Sequence, residues 1–281
     1  MPAIAICIPT YKRPIYLRGC IDSLLAIESI DFDIIIIDND SNPETRKLVN
    51  SISTNIIYLT EKNKGIPFVR NNAVDYCKDK YDLLAFIDDD EIVENNWLEL
   101  LLDTMNQYKA DVVHGPILSK FETSIPFWAS TSKFILYCPK RMETGTSLRC
   151  CSTGNVIMNT KIFSNKNNRF DSRLSNTGGS DTLFFNQIAD NYTMIFCNEA
   201  IAYENVPASR QTLKWNLLRV FRNGNATALI MKIKNKKKER KKELFNWIIK
   251  LPFKLALLPI YILLSIVFYY FIGFKLVINL L

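Results

Sequence analysis

Between residues 3 and 118 the chain alternates short apolar runs with amphipathic stretches, and no other feature narrows its possible folds as far. The runs at 3–8 (AIAICI), 33–37 (DIIII), 56–59 (IIYL), 83–87 (LLAFI) and 111–113 (DVV) are brief and rich in β-branched residues, as strands buried on both faces are. The stretches 14–27, 43–51, 65–78 and 95–108 between them read as amphipathic helices. Pro14 and Pro43 stand where two of these helices begin, a place where the missing N–H costs nothing. Strand–helix alternation implies right-handed crossovers and an α/β fold: a mostly parallel central sheet flanked by helices.

In such sheets ligands bind beyond the carboxyl ends of the strands. Here those ends read PTYKR, DNDS, TEKNKG and DDDE in turn, so one rim of the sheet is chemically dense. The fourth is the sharpest. LLAFIDDDEIV drives an apolar run into four acids, Asp88 to Glu91, that repel one another. One reading is a solvated turn in which an acid caps the next helix. The other is a hard divalent cation, Mg²⁺ or Mn²⁺, held by Asp88 and Asp90 on one side of an extended segment, with Asp89 facing elsewhere and a diphosphate supplying further oxygens. The position on the dense rim, shared with Asp38 and Asp40, favours the cation.

Beyond residue 118 the pattern loosens. GNVIMNT reads as a strand, GGSDTLFFNQIA as the start of a helix, and 210–231 as helical. The formal net charge of +7 is local, because KIKNKKKERKK at 232–242 alone carries +7. The remainder sums to about zero, which argues against a nucleic-acid-binding face. Seven cysteines without a CxxC pair suggest no disulfide framework and fit a reducing cytosol. The opening MPAIAICIPTYKR has no basic n-region and reads as a strand rather than a signal peptide. Following the basic run, twenty uncharged residues from 255 to 274 would span roughly 30 Å as a helix, a bilayer core's thickness. The expectation is a membrane-associated helical tail at 251–281, a basic juxtamembrane segment at 226–250, and a catalytic domain at 1–225 kept on the cytoplasmic face of the cell membrane.

The stretches IAICIPTYKRP, IIIIDNDS, NKGIPFVRNNA, FIDDDE, GGSDTLFF and VPASRQTLKWNLLRVFRNG together resemble family 2 glycosyltransferases of the GT-A fold. They occur in the family's order over most of residues 3–225. The resemblance implies a nucleotide-binding half (1–118), an acceptor half (119–225) and a sugar-nucleotide donor, UDP-linked rather than GDP-linked. It places Pro9, Thr10, Tyr11, Arg13, Asp38 and Asp40 around the base and ribose, with Gly65, Arg70, Asp88 and Asp89 also in the nucleotide-sugar site. It implies Gly154, Asn155, Gly179 and Ser180 on the acceptor side, and Asp181 as the catalytic base. Where relatives carry Glu-Asp, this chain has Ser180-Asp181. Where some carry a metal-binding His, it has Glu204, which joins Asp88 and Asp90 as a candidate ligand. Arg210, Arg219 and Arg222 suit a diphosphate.

The activity implied is inverting transfer of a sugar to a hydroxyl of a cell-envelope glycan or a lipid-linked acceptor. Two alternatives stand beside it. A nucleotidyltransferase would need a Gly-rich phosphate loop that IPTYKRP lacks, and a non-catalytic membrane-tethered binding module would not need an intact DDD and GGSD.

Overall fold

The computed structural model describes residues 2–41, 43–52, 55–124 and 141–234. Two compact units divide the chain, Met1–Ala226 and Thr227–Leu281. In the first, β1 (Ile4–Thr10) leads into α1 (Pro14–Leu25), β2 (Asp33–Asp38) into α2 (Pro43–Ile52), and β3 (Ile57–Thr60) into α3 (Ile66–Cys77). There follow β4 (Leu83–Phe86), β5 (Glu91–Val93), α4 (Trp97–Tyr108), β6 (Val112–His114), β7 (Ile117–Phe121) and β8 (Val156–Asn159). The described chain closes with α5 (Ser180–Ile188), β9 (Met194–Phe196), β10 (Ala202–Val206) and α6 (Leu213–Ile233).

Seven strands form the central sheet in the order β3-β2-β1-β4-β8-β6-β9. All pairings are parallel except those of β8, which runs antiparallel between β4 and β6. The sheet is thus the mostly parallel one expected, with one reversed strand that the sequence pattern did not reveal. Every residue of β1 is buried, which is why this strand shows no polar alternation: helices cover both faces. On one side Leu17, Ile21 and Leu24 of α1 and Trp97 and Leu101 of α4 pack against Ile6, Ile36 and Ala85. On the other, Val69 and Val74 of α3 and Phe184 and Phe185 of α5 pack against Cys7, Ile35 and Phe86. Each fully buried side chain of this size contributes about 1.5–3 kcal/mol, so the sheet is a rigid base for the rim above it.

A second sheet, β5-β10-β7, was not foreseen. Its strands are three to five residues long and leave little periodic signal. Their pairing sets Glu204 opposite Glu91 and so carries residues from the end of the domain to the DDDE segment. The six described cysteines are free thiols. No described helix is long and apolar enough to cross a membrane; the expected apolar segment 255–274 and most of the basic run lie outside the described residues.

Candidate active site

A cleft of about 640 Å³ opens over the carboxyl ends of β1 and β4. From β1 and its loop come Pro9, Thr10, Tyr11 and Arg13. Tyr11 is half exposed and flanked by two ammonium groups, Lys12 and Lys64, at 5.3 and 5.1 Å from its ring centre. Both make cation–π contacts with the ring.

The acids after β4 sit in a tight turn, closed by Glu91 N–H donating to the Asp88 carbonyl at 3.1 Å. The alternation of a strand therefore does not apply, and all three aspartates line the cleft. Asp89, expected to face elsewhere, accepts from Thr10 Oγ1 at 2.8 Å and pairs with Arg13 at 3.3 Å. Asp90 pairs through one oxygen with Arg13 at 2.9 Å and Arg210 at 3.1 Å. The Asp88 carboxylate receives no hydrogen bond or ion pair from any described residue. Nor do these acids cap a helix, since α4 starts beyond β5 with Asn96 at its N-cap. Burial raises the Asp88 pKa, with Asp90 and Asp181 adding to the rise against the Arg70 charge. Asp89 is pushed up to about 7, again chiefly by burial. Of the three aspartates, Asp88 alone is left without an ion pair among the described residues.

Beneath them lies Glu91, 2% exposed. Its carboxylate accepts from Asp88 N–H at 3.0 Å, and burial followed by the Asp88 charge raises its pKa well above the ordinary value. Gly154 is buried against Glu91 Oε1, where any side chain would collide. Gly154 thus serves the acid turn from below instead of lining the cleft. Asn155, expected on the acceptor side, is fully buried. Its amide donates to the carbonyls of Pro116 and Ala200 at 2.8 and 2.7 Å and accepts from Trp97 Nε1 at 2.7 Å. It is a clamp between β6–β7, α4 and the loop before β10, with no polar atom left for an acceptor. Glu204 does line the cleft, but one oxygen is bound to Arg210 at 2.9 Å; burial and Asp90 lift its pKa to about 7.

At the end of β2, Asp38 is fully buried and accepts from Tyr58 Oη and from Asp40 N–H. Neither Asp38 nor Asp40 lines the cleft; Asp40 lies near Lys64 and Lys12, at 3.6 and 3.9 Å. The residue between them, Asn39, lines it instead and holds the 61–65 loop through bonds to the Glu61 and Asn63 carbonyls and the Gly65 N–H. Alternation along DNDS would have pointed to it, had Asp38 been recognised as the buried partner.

Gly65 has φ +127° and its missing Cβ would stand 2.5 Å from Ser175 Cβ, so only glycine lets the two walls meet. One turn into α3, Arg70 is 7% exposed, reaches Ser180 Oγ at 3.3 Å and lies over the Phe170 ring. Its Nε is buried without a partner, while the residue lines the cleft. Ser180 therefore does not cap α5. Gly179 does, and neither glycine nor serine faces the cleft. Asp181 occupies the first turn of α5, partly exposed, accepting from Thr182 N–H. It is not a wall of the cleft, yet lies close enough for its charge to act on Asp88. Sequence reasoning also missed Lys64, Ser175 and Asn176 on the cleft wall; nothing in their local pattern marks them.

Among the described residues no three His, Cys, Asp or Glu side chains converge to enclose a metal ion. The unpaired Asp88 carboxylate and the second oxygen of Asp90 nevertheless fit a cation whose other oxygens come from a ligand, which is how Mg²⁺ is commonly held.

The family model described as Glycosyl transferase family 2 matches residues 5–165. The succinoglycan biosynthesis protein ExoM of Rhizobium meliloti (strain 1021) is 32% identical over 231 residues, covering 79% of this chain and 72% of that protein. Glycosyltransferase GlyA of Streptococcus pneumoniae serotype 4 is 26% identical over 44% of this chain and only 18% of its own length. Among solved structures, S. aureus TarS 1–349 in complex with UDP has a TM-score of 0.58 at 17% identity, covering 73% of this chain and 60% of that one. The likeness is one of fold. On the extent of the family match and the ExoM similarity, this chain belongs to glycosyltransferase family 2, with the GT-A fold.

Proposed function

We propose that the chain transfers a sugar from a nucleoside-diphosphate donor, UDP-linked rather than GDP-linked, to a hydroxyl of an envelope glycan or lipid-linked acceptor, with inversion. The observation that carries this reading is that one cleft holds an Asp88 carboxylate without an ion pair and a buried Arg70 whose Nε has no partner. An anionic diphosphate with a divalent cation would satisfy both. Asp88 and Asp90 would hold Mg²⁺ or Mn²⁺, which would supply charge to stabilise the departing diphosphate. Arg70, Arg210 and Arg222, all on the cleft, would grip its oxygens, and Tyr11 would stack on the base. Arg219 is a weaker candidate for the same grip, because it does not line the cleft. TarS binding UDP supports the nucleotide choice by likeness of fold.

In the transfer, the acceptor oxygen forms a bond to the anomeric carbon as the bond from that carbon to the diphosphate breaks. The electron pair leaves with the nucleoside diphosphate, and the hydroxyl proton goes to Asp181. Attack opposite the leaving group inverts the centre. The basic run and apolar tail would hold the domain at the cytoplasmic membrane face, within reach of a lipid-linked acceptor. The test is a panel of UDP- and GDP-sugars with Mg²⁺ or Mn²⁺, following release of nucleoside diphosphate. Metal-dependent release from at least one UDP-sugar is expected; inertness towards the whole panel would overturn the reading.

A further inference from the structure

One helix of the structure wears its apolar side outward. In α6, Leu213, Leu217, Val220 and Phe221 are exposed, Leu217 at 61% and Phe221 at 67%. With 3.6 residues per turn, these positions and Gly224 fall on one stripe about 100° wide. Ala228 and Met231 continue the spacing in the sequence. The helix buries only Asn216 and Ala226. Asn216 is buried and donates to the carbonyls of Arg210 and Thr212, and Arg222 lines the cleft. With Leu218 exposed beside the stripe, the helix shows water more large apolar side chains than any other described element.

Charge names the occupant of this face. From Leu213 to Leu281 the sequence holds fourteen Lys or Arg and two Glu, net +12, while the whole chain is +7. The preceding 212 residues therefore carry −5. Net positive charge is therefore confined to the segment that begins with this helix. An apolar stripe accompanied by clustered Lys and Arg is the pattern of a helix lying in an anionic bilayer surface. A second copy of the chain would bring +12 against +12.

We propose that the outward face of α6, centred on Leu217 and Phe221, inserts into the headgroup region of an anionic membrane. This deepens the proposed function, resting on its membrane-face reading. Because the same helix carries Arg222, docking would bring the donor cleft to the lipid surface, where a lipid-linked acceptor is presented. The apolar tail would be one anchor, and α6 an orienting contact.

The test is hydrogen–deuterium exchange of the full-length protein at amides 213–224, with and without vesicles of phosphatidylglycerol and phosphatidylcholine. Slowing by about fivefold or more is expected with anionic vesicles and less with pure phosphatidylcholine. The double variant L217Q/F221Q should lose the slowing while hydrolysing UDP-sugar at the normal rate without vesicles. Vesicle binding that leaves 213–224 unprotected would overturn the inference and leave the tail as the only anchor. Protection present before vesicles are added would assign the face to another part of the chain. Concentration-dependent dimers dispersed by L217Q/F221Q would assign it to a second copy. Absence of any vesicle binding would overturn the membrane reading, whereas transferase chemistry is read separately from donor hydrolysis.

Discussion

At the scale of single residues, the cleft separates acids by what they already touch. Asp89 and Asp90 are committed to Thr10, Arg13 and Arg210, whereas Asp88 is uncommitted. Asp88→Asn keeps the shape and removes the charge, so Mn²⁺-dependent UDP affinity should fall by tenfold or more, about 1.4 kcal/mol or above. Titration calorimetry giving an unchanged affinity would refute the assignment. Asp181 predicts the opposite split. A base within reach of the acceptor hydroxyl contributes about 10²–10⁴-fold, so Asp181→Asn should lose that much turnover with donor affinity nearly intact. Near-normal turnover, or a product retaining the donor's anomeric configuration by NMR, would leave Glu204 as the next candidate. The two positions stand out in the sequence, Asp88 because it ends an apolar run and Asp181 because it precedes one at a helix start. The roles of Asp38, Gly154 and Asn155 were not legible there. Whether a polar residue at a strand end faces ligand or core depends on partners far away in sequence: Tyr58 for Asp38, Glu91 for Gly154, Trp97 for Asn155.

At the scale of elements, the first four strands and helices announced themselves because each is a local pattern with a turn signal at its end. The reversal of β8 and the small sheet β5-β10-β7 could not, since strands of three to five residues owe their existence to partners about 40 to 110 residues away. The small sheet matters most for the site, because it positions Glu204 and Arg210 beside Asp90. Asn155, at φ 54°, stands just before β8 and ties together the loops that feed this sheet. Asn155→Ala would strand the Trp97 indole N–H and two buried carbonyls. At about 1–3 kcal/mol for each unsatisfied group, even partial relaxation leaves a loss of roughly 3 kcal/mol or more. Urea unfolding monitored by tryptophan fluorescence should show a clearly lower midpoint; a change below about 1 kcal/mol would mean the clamp is not needed.

At the scale of the whole molecule, buried ionisable groups of opposite kind set how stability answers pH. Asp89 and Glu204 titrate near 7 in the folded domain, above their ordinary values of 3.8 and 4.5. Between those limits the folded protein binds more protons than the unfolded chain, so these groups favour folding as pH falls from about 7 towards 4. His114 works against them. Burial holds its pKa at about 4, below the ordinary 6.5, so in that window the unfolded chain takes the extra proton and stability falls with pH. Two acids outweigh one imidazole, and ligand-free protein should therefore become more stable from pH 7.5 to 5.5. Each pKa unit is worth about 1.4 kcal/mol, which bounds the gain at a few kcal/mol. Asp89→Asn should flatten the rise and His114→Gln should steepen it. Mn²⁺ with UDP should abolish most of it, because a bound cation keeps the acids ionised and supplies the charge that protons otherwise supply. Urea midpoints at pH 7.5, 6.5 and 5.5 for the three proteins, each with and without ligand, measure these slopes. A ligand-free profile that falls steadily towards acid would show that the acid cluster is already neutralised within the fold, and would remove the electrostatic reason for a cation at Asp88.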